Sequence, residues 1–151
     1  MGLANDLEIL FHRDLTRLVQ QLQAFPDDGS LWRRAGTVNP GGNLVLHLEG
    51  NLREFIGRQL GGVEYQRDRP AEFATTGIPI ADLIQRIEYV RSLVSATLLK
   101  LSPAEFEAIY PEDVLGMPLS TQAFLIHLHG HLNYHLGQLD YLRRLADRAN
   151  R

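Results

Sequence analysis

Leu3, Leu7, Leu10, Phe11, Leu18, Leu22 and Phe25 recur at spacings of three and four, which places them on one apolar stripe and predicts a first helix over residues 3–25. Pro26-Asp27-Asp28-Gly29 opposes continuation, and a loop through Trp32 follows. Asn39-Pro40 reads as a helix start, with Asn39 as the cap and Pro40 where a missing N–H has no partner to lose. The second helix runs from there to about Leu60 and closes on Gly61-Gly62. Leu44, Leu48, Asn51, Leu52, Phe55 and Gln59 share its inner face, with His47 at the border. The charged stretch VEYQRDRPAEFATTGI before Pro79 is too long for a tight turn and predicts a crossover along a bundle. Ile80, Leu83, Ile84, Ile87, Val90, Val94, Leu98 and Leu101 define a third helix that ends before Ser102-Pro103. A short helical turn over residues 103–109 precedes the irregular YPEDVLGMP. The last helix starts near Leu119, capped near Ser120, and extends to the C-terminus through Phe124, Leu128, His131, His135, Leu139, Leu142 and Leu145.

Four long amphipathic segments without an alternating strand predict an all-α fold, a four-helix bundle with a long crossover connection between helices two and three. The 151 residues are the size of one domain, expected over residues 1–151. A hydrophobic share of 44% with 22% charged residues excludes a disordered or fibrous chain. A net charge of −3 provides no broad positive field, so nucleic acid is not the expected partner. No apolar run reaches membrane-span length, and the first residues carry acids where a secretion signal would be apolar. A soluble cytoplasmic protein, with no membrane partner, is the expectation.

The absence of cysteine narrows the chemistry further, because it excludes thiolate zinc sites, iron–sulfur clusters and a cysteine nucleophile. Any metal must be held by His, Asp, Glu or backbone oxygen. Four of the six histidines, His127, His129, His131 and His135, lie close together in the last helix. His131 and His135 are one turn apart on the apolar stripe and so face the core, in the HxxxH arrangement that lets two imidazoles meet one divalent cation. His129 points nearly opposite, and His127 sits at the stripe's edge. Clustered inward imidazoles need partners for their nitrogens and repel one another if protonated; a metal resolves both costs. His47 is the best third ligand because helix two presents it beside an inward face. His12, its rival, lies beside the main stripe of helix one and reads as a surface residue.

Asp14 lies within the stripe of helix one, where it can pair with an arginine or orient an imidazole. Asn51 and Gln138 fall near the ligand faces and can hold a ligating ring or a nearby water, or make plain interhelical hydrogen bonds. Arg67, Asp68, Arg69 and Glu72 read as a solvated charge run, or as a source of an arginine reaching over the bundle mouth toward an anionic group. Glu49 and Glu54 are the nearest carboxylates in sequence, but neither is placed to act as a general base. No GxxxxGK, GxGxxG, GxSxG or HExxH occurs, which removes the familiar nucleotide, hydrolase and zincin signatures.

HLEGNL at 47–52, RDRPAEF at 67–73 and HLNYHLGQLDYLRR at 131–144 together resemble the DinB-like (YfiT-like) superfamily of metalloenzymes, nearest to an uncharacterised branch and over essentially the whole chain. The resemblance implies a four-helix bundle that binds a divalent metal, nickel or zinc, through His47, His131 and His135. It also implies a thiol-dependent S-transferase or isomerase acting on a small-molecule substrate with mycothiol, bacillithiol or glutathione, and a homodimer, since relatives are frequently dimers. The alternatives are a non-catalytic metal-binding or interaction bundle and a metal-dependent hydrolase.

Overall fold

The four apolar stripes become four long helices in the computed structural model, which describes residues 2–149. In chain order the elements are α1 (Leu3–Ala24), α2 (Asp28–Trp32), α3 (Gly41–Leu52) continuing into a π-helical turn (Arg53–Arg58), α4 (Arg69–Ala74), α5 (Ile80–Leu98), α6 (Pro103–Glu107) and α7 (Thr121–Ala149). Among the described residues there is no strand, only isolated bridges joining Ala35 to Val38 and Ile109 to Ser120. None of the described helices is long and apolar enough to cross a membrane.

Contacts along the helices set their directions. Ser95 on α5 donates to Glu8 on α1 and Arg91 to Thr16, so these two run antiparallel. His129 and Asn133 of α7 meet Asp14, and Asp140 meets Gln21, so α7 runs parallel to α1. Along α3, Gly41 abuts Leu139 and Phe55 packs edge-on against Phe124, antiparallel to α7. Arg86 reaches Glu49 and Leu93 covers Gly57, so α5 runs parallel to α3. The resulting order around the bundle is α1, α5, α3, α7, with directions up, down, down, up. The connection over residues 61–79 must therefore travel back along α3 before α5 begins, as expected of a crossover.

Several local expectations give way to packing. The predicted loop through Trp32 contains α2, closed by a reciprocal cap in which Asp27 accepts from the Ser30 N–H and Ser30 Oγ faces the Asp27 N–H. Trp32 then donates its indole N–H to the Ile78 carbonyl, pinning the end of the crossover. The cap of α3 is Pro40, not Asn39, and Phe25 and Leu101 fall just outside their helices. Leu145 is exposed, whereas the rest of the α7 stripe turns inward. Ser120 does cap α7, accepting from the Ala123 N–H.

The second helix departs from a single α-helical run. After Leu52 it widens, with the Gln59 N–H bonded to the Glu54 carbonyl and the Gly61 N–H to the Ile56 carbonyl, five residues back in each case. Within this turn Ile56 is fully buried in the core alongside Phe55. The Phe55 carbonyl in this turn accepts from the buried Tyr110 hydroxyl at 2.8 Å. Every residue of α3 is buried, because α4 covers the side left open by α5 and α7.

Asp14 is fully buried in the α1–α7 seam. It accepts from Arg13, Arg17, His129 and Asn133. Burial alone would raise its pKa, but these bonds, led by Arg13, outweigh it and hold the carboxyl down at about 2, below its ordinary 3.8. A carboxyl depressed on folding contributes stability that is complete above its unfolded pKa and is lost as pH falls through the folded value. Asp14→Asn should therefore cost about 2 kcal/mol at pH 7 and flatten the decline of stability between about pH 4 and pH 2, as read by urea unfolding across that range.

Candidate metal centre

The antiparallel contact of α3 with α7 brings His47 level with the one-turn pair His131 and His135. The Nε2 atoms of His47 and His135 each lie 3.1 Å from Nε2 of His131. One nitrogen from each ring falls within 4.8 Å of the others, so a single ion can take all three. Two imidazoles sharing a zinc ion at about 2.0–2.1 Å with a tetrahedral angle stand about 3.4 Å apart, close to what the rings already adopt.

The outer sides of the rings show which nitrogens are free. His47 donates its Nδ1–H to Glu72 Oε1 at 3.0 Å, and His135 donates its Nδ1–H to Gln138 Oε1 at 2.8 Å. Each of these bonds fixes the tautomer that leaves a bare lone pair on Nε2. His131 Nε2 therefore sits between two lone pairs but can offer a proton to only one. Its Nδ1 is buried with no partner. Without a cation the trio leaves polar atoms unsatisfied, whereas a divalent ion accepts all three lone pairs. The donor set fits such an ion, since neutral imidazoles suit zinc and nickel and no thiolate is needed.

Burial, reinforced by His135 and His47, pulls His131 down to about 4 from 6.5. Burial likewise lowers His135, against the opposing bond to Gln138 and with the help of His47. Both rings thus favour the neutral form that ligation requires.

Glu72 is the residue the sequence reading misplaced. The charge run at 67–72 is only partly solvated: Asp68 caps α4 at the surface, but Glu72 is 6% exposed beneath the site. Arg67 clasps its carboxylate through Nε and Nη2 at 2.8 and 2.9 Å. Burial works to raise the Glu72 pKa, yet the bonds from His47 and Arg67 prevail and keep it below the ordinary carboxylate range. Asn43 of α3 holds α4 in place by donating to the Glu72 and Thr75 carbonyls. Gly50 supplies the clearance, since a Cβ there would overlap the Glu72 carboxylate. The signal available in the sequence was the acid of RDRPAEF facing a glycine in HLEGNL, a pairing no helical period links.

The other candidates sort themselves by helix face. Asn51 lines the cavity beside His47, and its Oδ1 is buried without a donor. His127 is exposed at that cavity's rim and stacks on Phe124. His129 turns to α1, where it donates to Asp14 and meets the edge of Phe11, instead of facing away from the packed helices. His12 is exposed near Glu8. Glu49 is held by Arg53 and Arg86, and Glu54 by Arg58, so neither faces the three rings.

The sequence profile of the DinB superfamily matches residues 10–139. No curated protein matches the chain. Among solved structures, a conserved protein from Enterococcus faecalis superposes with a TM-score of 0.79 at 16% identity, over 97% of this chain and 98% of the other. A DinB-like protein from Bacillus cereus ATCC 10987 superposes with a TM-score of 0.70 at 18% identity, over 89% of this chain and 86% of the other. At these identities the two structures speak for the fold alone.

Glu72→Gln should weaken zinc binding by about 10–100-fold, because the ring loses its ionised acceptor. Gly50→Ala should mimic it by displacing the same carboxylate. Competition against a zinc-chelating dye measures both, and wild-type affinity in either variant would refute the outer-partner role. In metal-depleted protein, the depressed His131 pKa gives stability that is intact above about pH 6.5 and declines as pH falls toward about 4. Melting curves across that window should flatten in His131→Gln.

Proposed function

Because this chain belongs to the DinB superfamily, we propose that it is a metal-dependent enzyme in which His47, His131 and His135 hold a divalent ion, zinc or nickel, and that a small thiol is the nucleophile. The observation that carries this reading is the convergence of three Nε2 atoms, with the outer nitrogens of His47 and His135 already committed to Glu72 and Gln138. A structural site closes its coordination with a fourth protein ligand, whereas a catalytic one keeps a position open. Among the described residues the cluster offers three donors and borders a cavity. That favours chemistry over a tie between helices.

The chemistry a divalent ion supplies when bound is Lewis acidity, which favours the thiolate or hydroxide form of a small nucleophile. The protein's own part is orientation. Arg67 keeps Glu72 ionised, Glu72 fixes the His47 ring, and Gln138 fixes the His135 ring. Phe55, Phe124 and Leu128 wall the cavity and limit water at the reacting position. Among the described residues, the carboxylates considered for the centre are all engaged: both oxygens of Glu72 are bonded, and Glu49 and Glu54 pair elsewhere. The proton released by a nucleophile passes to solvent or to His127 at the rim. A thiol is preferred to water through the family resemblance, with a transferase or isomerase reaction as the outcome.

Untagged protein should carry about one metal ion per chain, and His47→Ala, His131→Ala and His135→Ala should each lose most of it by elemental analysis. Equal metal content in wild type and variants would reject the assignment. Glutathione, bacillithiol and mycothiol, each incubated with an electrophilic acceptor, should be consumed only by the metal-loaded protein. Metal-dependent turnover without any thiol would point to a hydrolase, and metal binding without turnover to a non-catalytic bundle.

A further inference from the structure

Beside the three rings lies a cavity of about 380 Å³, with His47 and His131 in its wall. Its size is at the small end of pockets that enclose metabolite-sized molecules. None of the residues lining it is acidic. Two guanidinium groups line it instead: Arg67, whose hydrogen bonds use Nε and Nη2 and leave Nη1 uncommitted, and Arg69, which is exposed and has no carboxylate partner among the described residues. Phe55, Val114, Phe124 and Leu128 form the apolar part of the wall.

Two of the lining residues, Asn51 and His131, each carry a buried polar atom without a partner. Asn51 is 6% exposed and its Oδ1 has no donor; His131 Nδ1 is buried and has no partner. With the His131 Nε2 lone pair turned to the centre, its Nδ1 carries the proton and needs an acceptor. The lining residues therefore hold one unsatisfied acceptor and one unsatisfied donor, and buried groups of this kind mark where a ligand completes the bonding. A hydroxyl group can serve both, whereas an ammonium group has no lone pair to offer and would be repelled by the arginines.

We propose that this cavity seats a small hydroxylated carboxylic acid, its carboxylate at Arg69 and Arg67, its hydroxyl at Asn51 and its apolar body against Phe55 and Phe124. The assignment names the substrate class of the metal centre and rests on that reading only for the placing of a reactive atom near the three rings. Charge selects the ligand at the mouth, and the orphaned amide selects it within.

The probe is 3-phenyllactate, compared with its methyl ester, which lacks the charge, and with 3-phenylpropanoate, which lacks the hydroxyl. Calorimetric titration of the full chain, zinc-loaded and zinc-free, should show phenyllactate binding about tenfold more tightly than the ester and severalfold more tightly than phenylpropanoate. Arg69→Gln should erase most of the advantage over the ester, and Asn51→Leu the advantage over phenylpropanoate. The comparison of ligands on wild type stands even if Asn51→Leu does not fold. Equal binding of acid and ester, an unchanged ligand preference in Arg69→Gln, a hydroxyl preference that survives in Asn51→Leu, or no binding of any probe would each overturn the proposal. Zinc content measured on the same samples separates the two readings. If zinc fails to bind while the preferences persist, the metal assignment falls alone; if zinc binds and the preferences are missing, the cavity assignment falls alone.

Discussion

When His47 donates its Nδ1–H to Glu72 in a hydrogen bond, its Nε2 is left with a lone pair pointing into the bundle, and Gln138 imposes the same on His135. Everything proposed for the centre depends on that polarity. Reversed tautomers would turn N–H groups inward, where they would repel a cation and one another. The outer bonds depend in turn on the fold. Glu72 reaches His47 because Asn43 anchors the crossover helix against α3 and Gly50 leaves room for the carboxylate.

The departures from regular helix occur next to this centre. The π-helical turn follows directly on the α3 segment bearing His47 and Asn51, and it turns Phe55 toward Phe124 at the cavity while Ile56 fills the core behind. Tyr110 ties the turn to the segment after α6 through the Phe55 carbonyl. Apolar packing thus holds one side of the cavity, and the charged crossover holds the other.

How much was legible in the chain follows from which interactions repeat. The four stripes were, because burial against neighbouring helices demands an apolar residue every three or four positions. His131 and His135 were legible for the same reason: one turn apart, they must share a face. His47 needed only the border of a second stripe. Glu72 was not, because its partners are 25 and 5 residues away and their meeting depends on how an aperiodic segment docks. Arg67, Asp68 and Arg69 look alike as letters, yet one is clasped beneath the site, one caps a helix and one is unpaired; only the path of the backbone tells them apart. Asp14 was placed on an inward face, but its partnership with His129 required knowing that α1 and α7 run side by side. The π-helical turn escaped because period-based reading assumes a constant rotation per residue.

The crossover segment carries the carboxylate that orients His47 and also both arginines of the cavity wall, yet it is a short stretch lying outside the four-helix core. Such segments tolerate exchange far better than packed helices do. A lineage keeping Glu72 opposite Gly50 is free to vary the residues around it. New ligand preferences can then arise by swapping one patch of sequence, with the ligating rods of the scaffold left untouched.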